Sequence, residues 1–123
     1  MNEIGNNSEK LRIVQELVPG KQMTLAHVIA NPDEDLYQKL GLDPRVDFTK
    51  SAIGVMTFSP SETAIIAGDV ATKASGAELG FVDRFSGSLI VTGSVSEVEA
   101  AVTAVVDFVE KKLNFTVCEI TKT

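Results

Sequence analysis

Val98, Val102, Val105, Val109 and Leu113 recur at i, i+4, i+7, i+11 and i+15, a spacing that gathers these side chains on one face of a helix. Ser94 and Glu97 stand just ahead of them in the capping-box pattern, in which two side chains reciprocally satisfy backbone N–H groups that a helix start leaves unpaired. Asn114 follows the last apolar position, where a helix can stop in a left-handed residue. The spacing predicts a helix from about Ser96 to Leu113 with one broad apolar face. Such a face must be buried against another layer, and this requirement organises the rest of the chain.

The remaining segments supply that layer. Met23 to Ala30, Ala52 to Phe58 and Phe115 to Ile120 have strand composition, and both faces of Ala52–Phe58 read as buried. Gly80 to Val95 reads as a hairpin around a small-residue turn, Arg84-Phe85-Ser86-Gly87-Ser88, with Asp83 on the incoming arm. Two further helix starts are expected. Asn31-Pro32-Asp33-Glu34 is read as cap, first-turn proline and capping-box glutamate, opening a short helix that carries Leu36, Tyr37 and Leu40 and stops at Gly41. Ser59-Pro60-Ser61-Glu62 is read the same way. Its helix runs to about Ser75 on a face of Ala64, Ala67, Gly68, Ala71 and Ala74, with Gly76 as the stop. Asp43 to Lys50 is a polar loop. Ahead of all this, Leu11 to Val18 has strand composition and ends at Pro19-Gly20, while the first residues have the polar composition of a tail. The expected fold class is α+β, an antiparallel or mixed sheet with helices on one face.

Chemistry is sparse in this pattern. The single His27 lies inside a strand, and Ser59-Pro60-Ser61 lacks the flanking glycines of a nucleophile elbow. Asp33, Glu34 and Asp35 are clustered, but at a helix start, where negative charge complements the helix dipole. Cys118 alternates with apolar residues and reads as a packed strand cysteine. No catalytic residue, metal site or cofactor is expected. A net charge of −6 and the absence of Trp argue against a nucleic-acid partner. No apolar run is long enough to span a membrane. Leu11–Val18, left unpaired, would be an exposed edge, so pairing with copies in neighbouring subunits is expected.

Several segments together resemble one family. Val18-Pro19-Gly20-Lys21-Gln22, Thr24-Leu25-Ala26-His27, Glu62 to Asp69, Gly80 to Gly87 and Thr121-Lys122 are similar to the circularly permuted bacterial microcompartment shell proteins, the subfamily typified by EutS and PduU, with the resemblance to EutS the closer. The resemblance covers about residues 12–123. It implies a circularly permuted BMC domain over 21–123, a barrel-forming N-terminal strand over 11–20 and a flexible tail over 1–10. It also implies a homo-hexamer that tiles with other shell proteins around enzymes of ethanolamine breakdown, in a microcompartment within the cytoplasm.

By the same resemblance, Arg84, Phe85, Ser86, Gly87 and Ser88 line the six-fold centre and Lys73 is the lysine at the hexamer edge; Asp69, four residues earlier on the same helix, is read as its partner in a subunit-edge pair. Arg12, Val14, Glu16 and Val18 belong to a strand that builds a small barrel over the centre and occludes the pore. Asn31-Pro32 stands where the unpermuted form has an edge arginine, which removes that contact. Ser51 stands where some relatives carry a glycine associated with bent rings, so a flat ring is expected. The residues themselves leave open two other readings: a small α+β ligand-binding regulatory domain, and an enzyme using Cys118 or His27.

Overall fold

The computed structural model describes residues 20–42 and 51–123. The expected tail, the barrel strand with Arg12, Val14, Glu16 and Val18, and the polar loop at 43–50 lie outside the described residues. Among the described residues, five strands form one sheet in the order β3-β4-β2-β1-β5. They are β1 (Gln22–Ile29), β2 (Ala52–Ser59), β3 (Glu78–Asp83), β4 (Ser88–Gly93) and β5 (Thr121–Lys122), with helices α1 (Glu34–Leu40), α2 (Thr63–Ala74) and α3 (Val95–Leu113) between them. All pairings are antiparallel except β1 with β5, so the sheet is mixed, and α2 and α3 pack together on one of its faces. The α+β expectation therefore holds.

The valine period does what its spacing predicts. Val98, Val102, Val105 and Val109 are fully buried against Met23, Val28, Met56, Leu89 and Val91 of the sheet. Each such side chain stabilises the fold by roughly 1.5–3 kcal/mol. The capping box is complete: Ser94 Oγ accepts from Glu97 N at 3.1 Å, and Glu97 Oε1 accepts from Ser94 N at 2.9 Å. Asn114 ends α3 at φ 61°, in the left-handed region. Gly54 lies beneath this helix, where an added Cβ would stand within 2.9–3.0 Å of methyls of Val91, Val98 and Val102.

The other helix boundaries differ from expectation. Asp33, not Asn31, caps α1, because the backbone stays extended through Asp33 (ψ 141°) and its carboxylate accepts from Asp35 N at 2.9 Å. Gly41, at φ 70°, is the stop as expected. The N-cap of α2 is Glu62, with no side-chain cap bond; the chain enters through backbone bonds from Thr63, Ala64 and Ile65 to the carbonyls of Pro60, Ser61 and Glu62. Ser59 is thus not a cap, nor Glu62 a box partner. The end of α2 is Ser75 in an extended conformation, not a left-handed Gly76. Ser75 Oγ donates to the Glu97 carbonyl at 2.9 Å and accepts from Ala77 N at 3.1 Å. Gly76 has a different reason to be small: a Cβ there would lie 2.3 Å from Glu97 Oε2.

The strand expected over Phe115–Ile120 is not one. Gln22 bridges Thr116, and β5 pairs only Thr121 with His27 and Lys122 with Val28. Both contacts keep the same register along β1, so the segment follows β1 in parallel but loses the ladder between them. Val117, Cys118 and Ile120 spend that stretch packing against the core instead.

Candidate assembly site

The hairpin tip between β3 and β4 is a small, tightly bonded loop. Gly87 sits at φ 80°, which favours glycine, and a Cβ there would lie 2.3 Å from the Phe58 carbonyl oxygen. Gly87 N donates to the Asp83 carbonyl at 2.8 Å, and the Gly87 carbonyl accepts from Phe58 N at 2.9 Å, which clamps the tip onto the end of β2. The Asp83 carboxylate accepts from Phe85 N at 2.8 Å and from the Ser86 hydroxyl at 2.9 Å. These bonds, that from Phe85 first, hold its pKa below the ordinary carboxylate value. The Ser86 and Ser88 hydroxyls are 3.1 Å apart.

Arg84 lies over the Phe85 ring, 4.5 Å from its centroid. Phe85 is nonetheless 79% exposed, the most exposed large apolar side chain among the described residues. The five tip residues of the sequence reading are therefore together, on a loop held rigid by Asp83, with an apolar ring projecting into solvent.

Asp69 and Lys73 form a separate place. Lys73 Nζ is 2.9 Å from Asp69 Oδ2, with both side chains more than half exposed. The tip touches the entry to α2, where the Gly87 Cβ position lies 3.1 Å from Ser61 Cα, whereas Lys73 is in the last turn of that helix. The two sets are thus apart by about the length of α2, roughly 18 Å at 1.5 Å per residue.

His27 and Cys118, the residues weighed for chemistry, are occupied structurally. His27 lies across β5, its Nδ1 2.5 Å from Thr121 Oγ1 and its Nε2 2.9 Å from Thr123 Oγ1. Burial pushes the Cys118 thiol up, away from the reactive thiolate. Among the described residues no group of three or more His, Cys, Asp or Glu could hold a metal ion, and no helix is long and apolar enough to cross a membrane.

The sequence reading missed one surface. Ile65, Ile66, Leu79, Phe81 and Val82 are all 37–52% exposed. A signal was present: once Ala64, Ala67, Gly68 and Ala71 take the buried face of α2, the adjacent Ile65-Ile66 pair falls outside it.

Fold and surfaces define a small structural domain with a rigid loop at one end and unburied apolar groups along its flank. Residues 52–121 match the BMC domain. The bacterial microcompartment shell protein PduU of Salmonella typhimurium is 53% identical over 112 residues, 91% of this chain and 93% of the relative. The shell protein EutS of Escherichia coli is 52% identical over 114 residues, 93% of this chain and 98% of the relative. The solved flat hexamer of CutR superposes with a TM-score of 0.79 at 44% identity, covering 89% of this chain and 96% of that one. The chain belongs to the BMC-domain family of bacterial microcompartment shell proteins, in the EutS/PduU subfamily; these relatives are structural proteins rather than enzymes. Identity to PduU and to EutS is nearly the same, so the expected closeness to EutS is not visible in it.

Proposed function

We propose that six copies of this chain form a tile of a microcompartment shell serving ethanolamine breakdown, with the hairpin tips meeting at the six-fold axis. Arg84, Phe85, Ser86, Gly87 and Ser88 line the centre, and Asp69 and Lys73 lie at the rim against the next tile. The observation that carries this reading is the tip itself: a loop pinned by Asp83 and Gly87 that presents Phe85 to solvent, its ring met among the described residues only by the adjacent Arg84 and still 79% exposed. A ring of copies supplies the cover. The flat CutR hexamer, at 44% identity, supports the six-fold arrangement.

A permuted domain over 21–123 is supported by how the chain ends meet. Thr116 N donates to the Lys21 carbonyl, Met23 N donates to the Thr116 carbonyl, both at 2.9 Å, and Lys21 Nζ reaches the Leu113 carbonyl. The end of α3 thus lies beside the start of β1, where an unpermuted chain would run directly from one to the other. Residues 1–10 are a tail in this reading, and 11–20 supply the barrel strand that covers the centre. Ser51 favours a flat ring. Other shell proteins and the enclosed enzymes are the partners.

Native mass spectrometry tests the tile directly: a discrete hexamer is expected, and a stable monomer at high concentration overturns it. A chain lacking residues 1–19 should show an open axial channel at Phe85-Ser86-Gly87, and a channel still closed refutes the covering strand. Substrate context is read by complementation. Restored growth on ethanolamine in a strain lacking EutS, without rescue of one lacking PduU, is the expected result; the reverse assigns the other system.

A further inference from the structure

We propose that Glu16 pairs with Arg84 at the six-fold centre, so that the segment 11–18 is latched over the hairpin tips by charge as well as by apolar contact. The inference rests on the hexameric reading above, with its covering strand, and names the contact that holds the cover in place.

The tip leaves one cation unanswered. Among the described residues Lys73, Lys111 and Lys122 each pair with a carboxylate, at 2.9, 2.7 and 2.6 Å. Arg84 pairs with none of the described carboxylates; its guanidinium lies over the Phe85 ring, 4.5 Å from the centroid. A guanidinium stacked in this way keeps its N–H edge for a planar acceptor with two oxygens. Asp83 of the same copy does not fill that role. Its Oδ1 accepts from Phe85 N at 2.8 Å and its Oδ2 from the Ser86 hydroxyl at 2.9 Å, which turns the carboxylate into the loop. Six such tips around an axis bring six guanidinium groups together, and like charges at short range repel. A ring of tips is therefore steadied by six anionic groups.

The chain carries them close by. β1 starts beside the tip, because Gln22 pairs with Ser59 and the adjacent Phe58 is bonded to Gly87. Gly20 stands two residues before Gln22, and Glu16 four residues before Gly20, a reach of about 13 Å for extended chain. Leu11 to Pro19 holds a single acid, Glu16. In a strand, Glu16 shares a face with Val14 and Val18, since alternate residues point the same way. That face offers a carboxylate between two apolar side chains. The tip offers a guanidinium lying on an apolar ring that is 79% exposed. Glu16 answers Arg84, and the valines answer Phe85. Ile13, Gln15 and Leu17 on the opposite face bring no charge. A small anion from solution would neutralise Arg84 but leave Phe85 bare, and it lacks the high effective concentration of a tethered group.

The test is hydrogen–deuterium exchange of residues 11–18 in the full-length hexamer, followed by mass spectrometry. A wild-type chain that forms no hexamer, or a hexamer whose 11–18 amides are unprotected, breaks the reading on which this inference rests. With protection established, Glu16→Gln and Arg84→Gln should each speed exchange of this segment by about tenfold at low salt, and by less at 1 M salt. The double variant Glu16→Arg/Arg84→Glu should return exchange to near the wild-type rate, which a merely structural role for either residue would not do. Unchanged exchange in both single variants overturns the pairing, as does a double variant that exchanges as fast as the singles. Faster exchange in Arg84→Gln alone also overturns it, and assigns Arg84 to Asp83 of a neighbouring copy.

Discussion

Helices α2 and α3 lie side by side on one face of the same sheet, yet they face different demands. α3 buries four valines, opens with a complete capping box and closes on a left-handed asparagine. α2 buries alanines, a glycine and a threonine, has no side-chain cap at its start, and leaves Ile65 and Ile66 in solvent. Apolar bulk points inward on α3 and outward on α2. The difference separates two tasks. The core that makes the chain fold is centred under α3, whereas α2 is held close to the sheet by small residues and leaves its larger ones, Ile65 and Ile66, at the surface.

The largest expected effect breaks the α3 side. Gly54→Val puts a branched side chain where a single added carbon already meets three valine methyls, so it should lower stability by about 3 kcal/mol, the upper end of overpacking costs. Thermal melts at fixed protomer concentration check this, since ring formation itself shifts the midpoint. A melt within a degree of wild type would show that α3 can shift, and the contrast with α2 would lose its basis. Ser94→Ala, next in size, should cost about 1 kcal/mol by removing one half of the capping box. The same melt measures it, and the matching substitution at Ser59 on the α2 side should change little, because Ser59 caps nothing.

This asymmetry also governs what could be read from the sequence. The α3 period, its box and its Asn114 stop are local patterns whose physics is complete within the helix, and they were legible. So was the hairpin, because the tip's small residues and Asp83 act on one another at short range. The ends of α2 were not. Ser75 and Gly76 answer to Glu97, twenty-odd residues away, and Ser59 loses its apparent cap role to a turn built from backbone bonds. Phe115–Ile120 carried strand composition, but a strand also needs partners along its whole length, and that is decided by how the segment lies along β1. The apolar flank was half legible: the alanine face of α2 pointed the isoleucines outward, but only the sheet order puts them beside an open edge.

Between tiles rather than within one, the expected effect on stability is near zero. Lys73→Ala removes an exposed pair with Asp69, which is worth less than about 0.5 kcal/mol to the fold. If this corner sits at the rim, single hexamers should persist while extended sheets seen by electron microscopy are lost. Sheets of normal extent would place the rim elsewhere, and the outer end of α2 would then have no part in assembly.

The smallest effect sharpens the account of the tip. Asp83 has a lowered pKa because its ionised carboxylate accepts from Phe85 N and the Ser86 hydroxyl. A group whose folded pKa is depressed contributes stability above its unfolded value, and that contribution is lost as pH falls through the folded value. The loss therefore belongs below the ordinary carboxylate value of 3.8 and is absent at neutral pH. In an amide-resolved NMR titration, Phe85 N–H should move with a midpoint below that value, while core amides of α3 stay still until global unfolding. A midpoint at or above 3.8 would mean that the carboxylate does not pin the loop. Phe85 would then be presented by a tip held only through Gly87 and Phe58, and six such loops could not be expected to meet in one fixed arrangement.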